Sequence, residues 1–179
     1  MRAFIMVELK KNVKDYLFDI RKKFSSKDAK ISWVHKKNIH QTLKFLGDVD
    51  DDKIEEVREK LREIKFKPFD VNLSEVGYFP TIRNIRVLWV GLDPVNKIIE
   101  LQQDVESKLR DLFKKDNLFK PHITLGRVKN VKHKKNFLKI LEELEVDKLR
   151  FRVKNFKLVK SVLTKDGPRY TVIEEYGGV

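Results

Sequence analysis

Apolar residues recur along this chain with two spacings, and each spacing names an element. From Arg2 to Leu9 the residues favour extended structure and no turn former interrupts them, which predicts a first strand. Val13, Leu17, Ile20 and Phe24 then fall at helical intervals. They predict a helix capped by Asn12 and closed by Ser25-Ser26-Lys27-Asp28. Ile31 to His35 reads as a short strand, and Asn38 turns the chain into another from His40 to Leu46, ended by Gly47. Asp50 or Asp51 caps a second helix whose buried stripe is Ile54, Val57, Leu61 and Ile64.

Pro68 opens a second half with the same rhythm. Phe69 to Phe79 alternates as a strand, Pro80 to Asn84 is a polar turn, and Ile85 to Leu92 is a strongly apolar strand. Asp93 followed by Pro94 reads as a cap and first helical position. The helix they start is expected to reach about Lys114, with Val95, Ile98, Val105, Leu109 and Leu112 inward. A strand from His122 to Val128 follows, then a helix over about Lys134 to Leu144 that turns Phe137, Ile140, Leu141 and Leu144 inward. Leu149 to Leu163 and Arg169 to Tyr176 are expected to form a hairpin around Asp166-Gly167-Pro168.

Each half thus holds a helix, a strand that begins with His, and a second helix. The expectation is an α+β fold of two similar lobes related by an approximate two-fold axis. Each lobe has a mostly antiparallel sheet backed by two helices, with a cleft between the lobes. No stretch is long and flexible enough to separate them, so residues 1–179 are read as one two-lobed domain.

The two His strands carry the candidate chemistry. One reads His40-Gln-Thr42-Leu-Lys-Phe45-Leu-Gly, the other Pro-His122-Ile-Thr124-Leu-Gly-Arg127. Side chains two apart on a strand share a face, so each copy presents one imidazole and one hydroxyl together, with its Leu turned to the core. Two opposed copies supply two proton-transfer groups and two hydrogen-bond donors. That suits cleavage of a phosphodiester, with one imidazole taking a proton from water and the other giving one to the leaving oxygen. Strict alternation places Phe45 and Arg127 on the face opposite the His. Gly126 permits a bulge that re-aims Arg127, whereas Lys44 offers Phe45 no such freedom. Phe45 is therefore left between core and stacking platform. His35 and His133 lack a Thr partner and read as ordinary surface or loop residues. No Asp or Glu stands at a spacing that completes a metal site around His35 and His40. Tyr78, Arg83, Arg86 and Trp89 are candidates to line the approach to the cleft, with Trp89 expected in the core and the arginines either solvated or touching RNA backbone without reading its sequence.

Charge and composition narrow the partner. Lys and Arg number 40 against 27 Asp and Glu, a net charge of +13 with a pI near 9.8, which favours a polyanion such as nucleic acid. With no Cys, disulfides, thiolate chemistry and Cys-based zinc sites are excluded. The start is too short an apolar run for a signal peptide and no stretch approaches a membrane span, so the expected setting is the cytoplasm. Abundant Lys, Glu and Arg with few Met also fits a thermophile.

The two His-x-Thr-Leu stretches resemble the signature of the two-histidine phosphoesterase superfamily, and within it the branch called 2′-5′ RNA ligase or RNA 2′,3′-cyclic phosphodiesterase. The likeness runs from the first strand to the last. It implies a bilobal α+β fold and opening of a terminal 2′,3′-cyclic phosphate of RNA to a 2′-phosphate. Some members run the reverse reaction and join RNA ends through a 2′-5′ bond. It further implies His40 as the acid toward the ribose oxygen and His122 as the base toward water. Thr42, Thr124 and Arg127 become phosphate or substrate contacts, and Phe45 a base platform. No cofactor or metal is implied, and the protein is expected to be a monomer. Two other readings stay open: a phosphodiesterase for a small cyclic nucleotide of the ADP-ribose cyclic phosphate type, and a non-catalytic RNA-binding module.

Overall fold

Strand β1 (Arg2–Glu8) shows how the chain builds two faces. Residues 3 to 7 are all buried, because β1 lies between two other strands and is covered on both sides. Ala3, Ile5 and Val7 pack into the main core, whereas Phe4 and Met6 join Val159 and Tyr170 on the opposite face. Helix α1 (Lys11–Asp19, continued by a 3-10 turn over Ile20–Lys23) covers the main core with Val13, Leu17 and Ile20. After β2 (Ala29–Trp33) and β3 (His40–Asp48), helix α2 (Asp51–Arg62) adds Ile54, Val57 and Leu61 to that core. The computed structural model describes residues 1–177.

The second half repeats the plan. Strands β4 (Phe69–Thr81) and β5 (Asn84–Asp93) form a hairpin, helix α3 (Asn96–Leu109) follows, and β6 (Ile123–Val131) precedes helix α4 (Lys134–Glu143). β7 (Arg150–Val153), β8 (Asn155–Thr164) and β9 (Gly167–Gly177) complete the chain. The nine strands among the described residues belong to one sheet, in the order β7-β4-β5-β6-β3-β1-β8-β9, with β2 beside β6. Every pairing is antiparallel. The expected lobes are the two halves of this sheet. Their motif strands, β3 and β6, meet at a single register point, Gln41 opposite Ile123. Beyond that point the strands splay, which opens space between the two His-Thr faces. No helix among the described residues is long and apolar enough to cross a membrane.

Several element ends differ from expectation. The single strand expected over Leu149–Leu163 is two strands in different lobes: β7 pairs with β4 and β8 with β1. The buried positions shift phase there, from Phe151 and Val153 to Phe156 and Leu158, with exposed Lys154 at the crossing. The C-terminal hairpin therefore returns to the first lobe. Asn12 is not a cap, since α1 begins at Lys11 and no side chain caps it. Asp93 stays in β5 opposite Asn72, so sheet pairing overrides its capping, and α3 starts at Asn96 with Val95 exposed. That helix stops at Leu109, well before Lys114, whose carbonyl is drawn to the Lys44 ammonium at 3.0 Å. Asp50, one of the two expected caps, accepts a 2.8 Å hydrogen bond from the Lys53 backbone N–H. Gly47 does not end its strand; it sits inside β3 with φ of 73°, a backbone state glycine adopts without steric cost.

Candidate active site

Each motif strand carries a bulge at the same place, and the bulges decide which side chains share the His face. In β3, Met6 lies opposite Thr42 and Ile5 opposite Lys44, so Leu43 is an extra residue. The strand slips phase by one: Leu43 and Lys44 are both buried, and Phe45 returns to the side of His40 and Thr42. In β6, Trp89 lies opposite Thr124 and Leu88 opposite Gly126, so Leu125 is the extra residue and Arg127 returns to the side of Thr124. The second slip needs glycine, because a Cβ on Gly126 would stand 2.8 Å from Ile31 Cγ2 and 2.9 Å from the Trp33 ring.

The first slip corrects the expectation that Lys44 holds Phe45 on the far face. Lys44 itself turns inward, where its ammonium lies 2.7 Å from Glu106 and 3.4 Å from Asp116. A charge that finds a carboxylate below the sheet lets the bulge form without glycine. Phe45 is consequently 70% exposed, its ring centroid 6.1 Å from that of Phe4, and it is not a core residue.

The imidazoles are held alike. His40 Nδ1 lies 2.6 Å from the Asn38 carbonyl and His122 Nδ1 lies 2.7 Å from the Lys120 carbonyl, in each case two residues upstream. A carbonyl only accepts, so Nδ1 carries the proton and Nε2 of each neutral ring is left as the basic nitrogen. The Thr42 hydroxyl stands 2.9 Å from His40 Nε2 and donates to it when the ring is neutral. Burial pushes His40 down from 6.5 to about 4, and the nearby positive charges of Lys14 and protonated His122 push the same way. Burial, then the Lys120 ammonium, also holds His122 below the ordinary histidine range. Both rings are therefore neutral in the free protein at neutral pH.

This has a measurable consequence for stability. Between pH 6.5 and about 4 the unfolded chain takes up a proton at His40 that the folded chain refuses. The His40 contribution is fully present above 6.5 and is lost as pH falls through that window, on the order of 3 kcal/mol in total. Urea unfolding at pH 4.5 and pH 7 should show it, and His40→Ala should remove that component. An unchanged pH slope in the variant would refute it.

A cleft of about 720 Å³ lies over this face. His40, Thr42, Phe45, Thr124 and Arg127 line it together with Tyr170. His122 is not part of that lining: its ring packs edge-on against Phe79 at 5.0 Å and beside Trp89 at 6.1 Å. Trp89 is thus half-buried next to His122, not in the core, and Gly77 gives its indole room, since a Cβ there would come within 2.3 Å of it. His35 is exposed at the cleft edge, and His133 Nδ1 lies 3.2 Å from Asp28.

Three participants escaped the sequence reading. Tyr170, on the returning hairpin, stands 5.6 Å from the His40 ring and 4.8 Å from Phe4. Lys120 lies 4.9 Å above the Trp89 ring. Buried Asn38 donates its side-chain amide to the Pro168 carbonyl at 2.8 Å while its own carbonyl anchors His40, so one residue ties the hairpin to the imidazole. The alternation of β9 marks Tyr170 as a strand residue, but no local signal says which lobe that strand joins.

The sequence matches the family model described as LigT like Phosphoesterase twice, over residues 7–89 and 90–170, one match for each His-x-Thr-Leu copy. The chain belongs to the LigT-like phosphoesterase family. Among LigT-like relatives, a Methanocaldococcus jannaschii protein named RNA 2′,3′-cyclic phosphodiesterase is 36% identical, with 98% of this chain and all of the relative covered. A Thermotoga maritima protein of the same name is 34% identical over 98% of this chain and 94% of its own length. Among solved structures, TT0787 of Thermus thermophilus superposes with a TM-score of 0.82 at 26% identity, covering 99% of this chain and 97% of that one. The LigT-like boundary at residue 89 falls inside β5, so the repeat in sequence and the two halves of the sheet are offset by the C-terminal hairpin.

Proposed function

We propose that this LigT-like phosphoesterase hydrolyses the 2′,3′-cyclic phosphate at the end of an RNA, leaving a 2′-phosphate, by acid–base catalysis from His40 and His122 without a metal ion. The observation that carries the reading is the matched anchoring of the two imidazoles on related strands, each with Nδ1 committed to a carbonyl and Nε2 left for proton exchange. Two relatives covered nearly end to end bear the name of that activity.

His122 takes a proton from water as its oxygen attacks phosphorus. His40 gives a proton to O3′ as the P–O3′ bond breaks. Both rings are poor proton holders in the free protein, and a phosphodiester anion between them raises the affinity of each for a proton, supplying the charged acid when substrate is present. Thr42, Thr124 and Arg127 hold the phosphoryl oxygens, where their donors oppose the charge that develops. Phe45, exposed beside the cleft, is the platform for the terminal base. A 5′-hydroxyl in place of water runs the chemistry backward and makes a 2′-5′ bond. Each lobe supplies one half of the site, so the two lobes work as one domain and a monomer suffices. We place this work on RNA in the cytoplasm.

The test is a short RNA ending in 2′,3′-cyclic phosphate, incubated with purified protein in the presence of EDTA. Turnover equal to that without chelator is expected. Activity abolished by EDTA and restored by zinc or magnesium would overturn the mechanism.

A further inference from the structure

A second concave surface lies farther along β6, on the side where Val128 packs against Phe137 of α4. Strand β6 carries Thr124 and Arg127 in the cleft and, from Val128 onward, borders a separate groove of about 360 Å³. The β4–β5 turn forms its opposite bank and the start of α4 its end. Arg83, Arg86, Lys129 and Lys134 line it with Asn130, over a floor made by Phe137. No carboxylate is among the lining residues.

The charge there is uncompensated. Arg83, Arg86, Lys129 and Lys134 take part in none of the ion pairs among the described residues. Some cations elsewhere are paired, as where Arg150 and Arg152 share Asp70 and Arg58 and Arg62 share Glu174, but the groove gathers four unpaired ones with no carboxylate in its lining. Four unpaired cations in one groove repel one another, which costs stability unless an anion enters. The strand rise puts Lys129 only about 7 Å from Arg127 along β6. A polymer whose end sits at Arg127 therefore reaches the groove within a few nucleotides.

We infer that this groove is the track for the RNA strand leading into the cleft, binding its phosphates through Arg83, Arg86, Lys129 and Lys134 without reading its sequence. The inference rests on the RNA phosphodiesterase reading and adds to it a path for the body of the substrate. The occupant is a single strand: the groove offers point charges and the amides of Asn84 and Asn130, and backbone neutralisation needs no base contact.

The experiment measures binding and turnover separately. A ten-nucleotide RNA with a 3′-hydroxyl end is titrated by fluorescence anisotropy against wild type, against the triple variant Arg83→Glu/Arg86→Glu/Lys129→Glu, and against a control triple of exposed, unpaired lysines elsewhere, Lys10→Glu/Lys148→Glu/Lys154→Glu. The groove variant should bind at least about tenfold more weakly, and its log–log salt slope should fall by about 2, the loss expected for three phosphate contacts on a single strand. The control should change by less than about threefold. Hydrolysis of a cyclic mononucleotide, which cannot reach the groove, should be the same in all three proteins. Equal weakening in the two triples would mean diffuse charge and overturn the track, as would unchanged binding in the groove variant. Loss of mononucleotide hydrolysis in that variant alone would mean damage to the cleft and would also count against it. Failure of wild type to hydrolyse any cyclic phosphate would sink the phosphodiesterase reading while the binding arm still judged the groove.

Discussion

Replacing His122 by Ala should lower turnover of an RNA 2′,3′-cyclic phosphate by roughly 10²–10⁴-fold, and His40→Ala should do the same. The two losses are similar in size because the proposed reaction has two proton transfers and each ring performs one. The groups alongside substitute poorly: the Tyr170 phenol, 5.6 Å from the His40 ring, is pushed up by burial and so is a weak acid. Nδ1 of each ring is tied to a backbone carbonyl, and the residues packed on His122 are Phe79 and Trp89, which have no exchangeable acid near neutrality. Thr42→Ala and Thr124→Ala should cost less, since each removes one hydrogen bond and no proton transfer. Near-normal hydrolysis by the His122→Ala protein would remove the assignment.

Glu106→Ala should destabilise the fold by about 3–5 kcal/mol. Lys44 is 2% exposed, and its ammonium has Glu106 at 2.7 Å as its nearest carboxylate. Glu106 also accepts from the Gln102 amide at 3.1 Å and the Asp116 backbone N–H at 3.3 Å, so its removal strands several donors at once. In a chain of this size the loss corresponds to a melting point lower by about 10 °C. Replacing both partners, Lys44→Met with Glu106→Leu, should recover most of the stability, because the one charge then left without its partner is Asp116, which is exposed enough for water to solvate. Thermal unfolding of the two proteins decides it: a single variant as stable as wild type, or a double variant no better than the single, would contradict the account. Because Lys44 sits in the β3 bulge, the single variant should also raise the Michaelis constant through Phe45, whereas the folded double variant should restore it in part.

The parts of this molecule legible in its sequence are those set by local periodicity. The apolar stripes of α1 and α2, the strand character of both motif copies and the pairing of His40 with Thr42 follow from spacings of two and of three to four residues. The lobes followed from the repetition of that pattern. What local pattern could not supply was partnership over distance. Phe45 reaches the cleft because Lys44 finds Glu106 on a helix far along the chain, and alternation alone points Phe45 the other way. Tyr170 reaches His40 because β8 pairs with β1. One misread element did leave a signal: the shift from Phe151 and Val153 to Phe156 and Leu158 marks the crossing between lobes, since a single strand keeps its phase. Arg127 was placed correctly because glycine, unlike a buried lysine, announces a bulge by itself.

The central claim is that the two imidazoles break the P–O3′ bond of a cyclic phosphate held between them. The most direct measurement is the identity of the product from an RNA ending in 2′,3′-cyclic phosphate, resolved by chromatography against 2′-phosphate and 3′-phosphate standards. The account predicts the 2′-phosphate from wild type and almost no product from either His→Ala protein. A 3′-phosphate as the main product, or the same product formed at the same rate without His122, would contradict it.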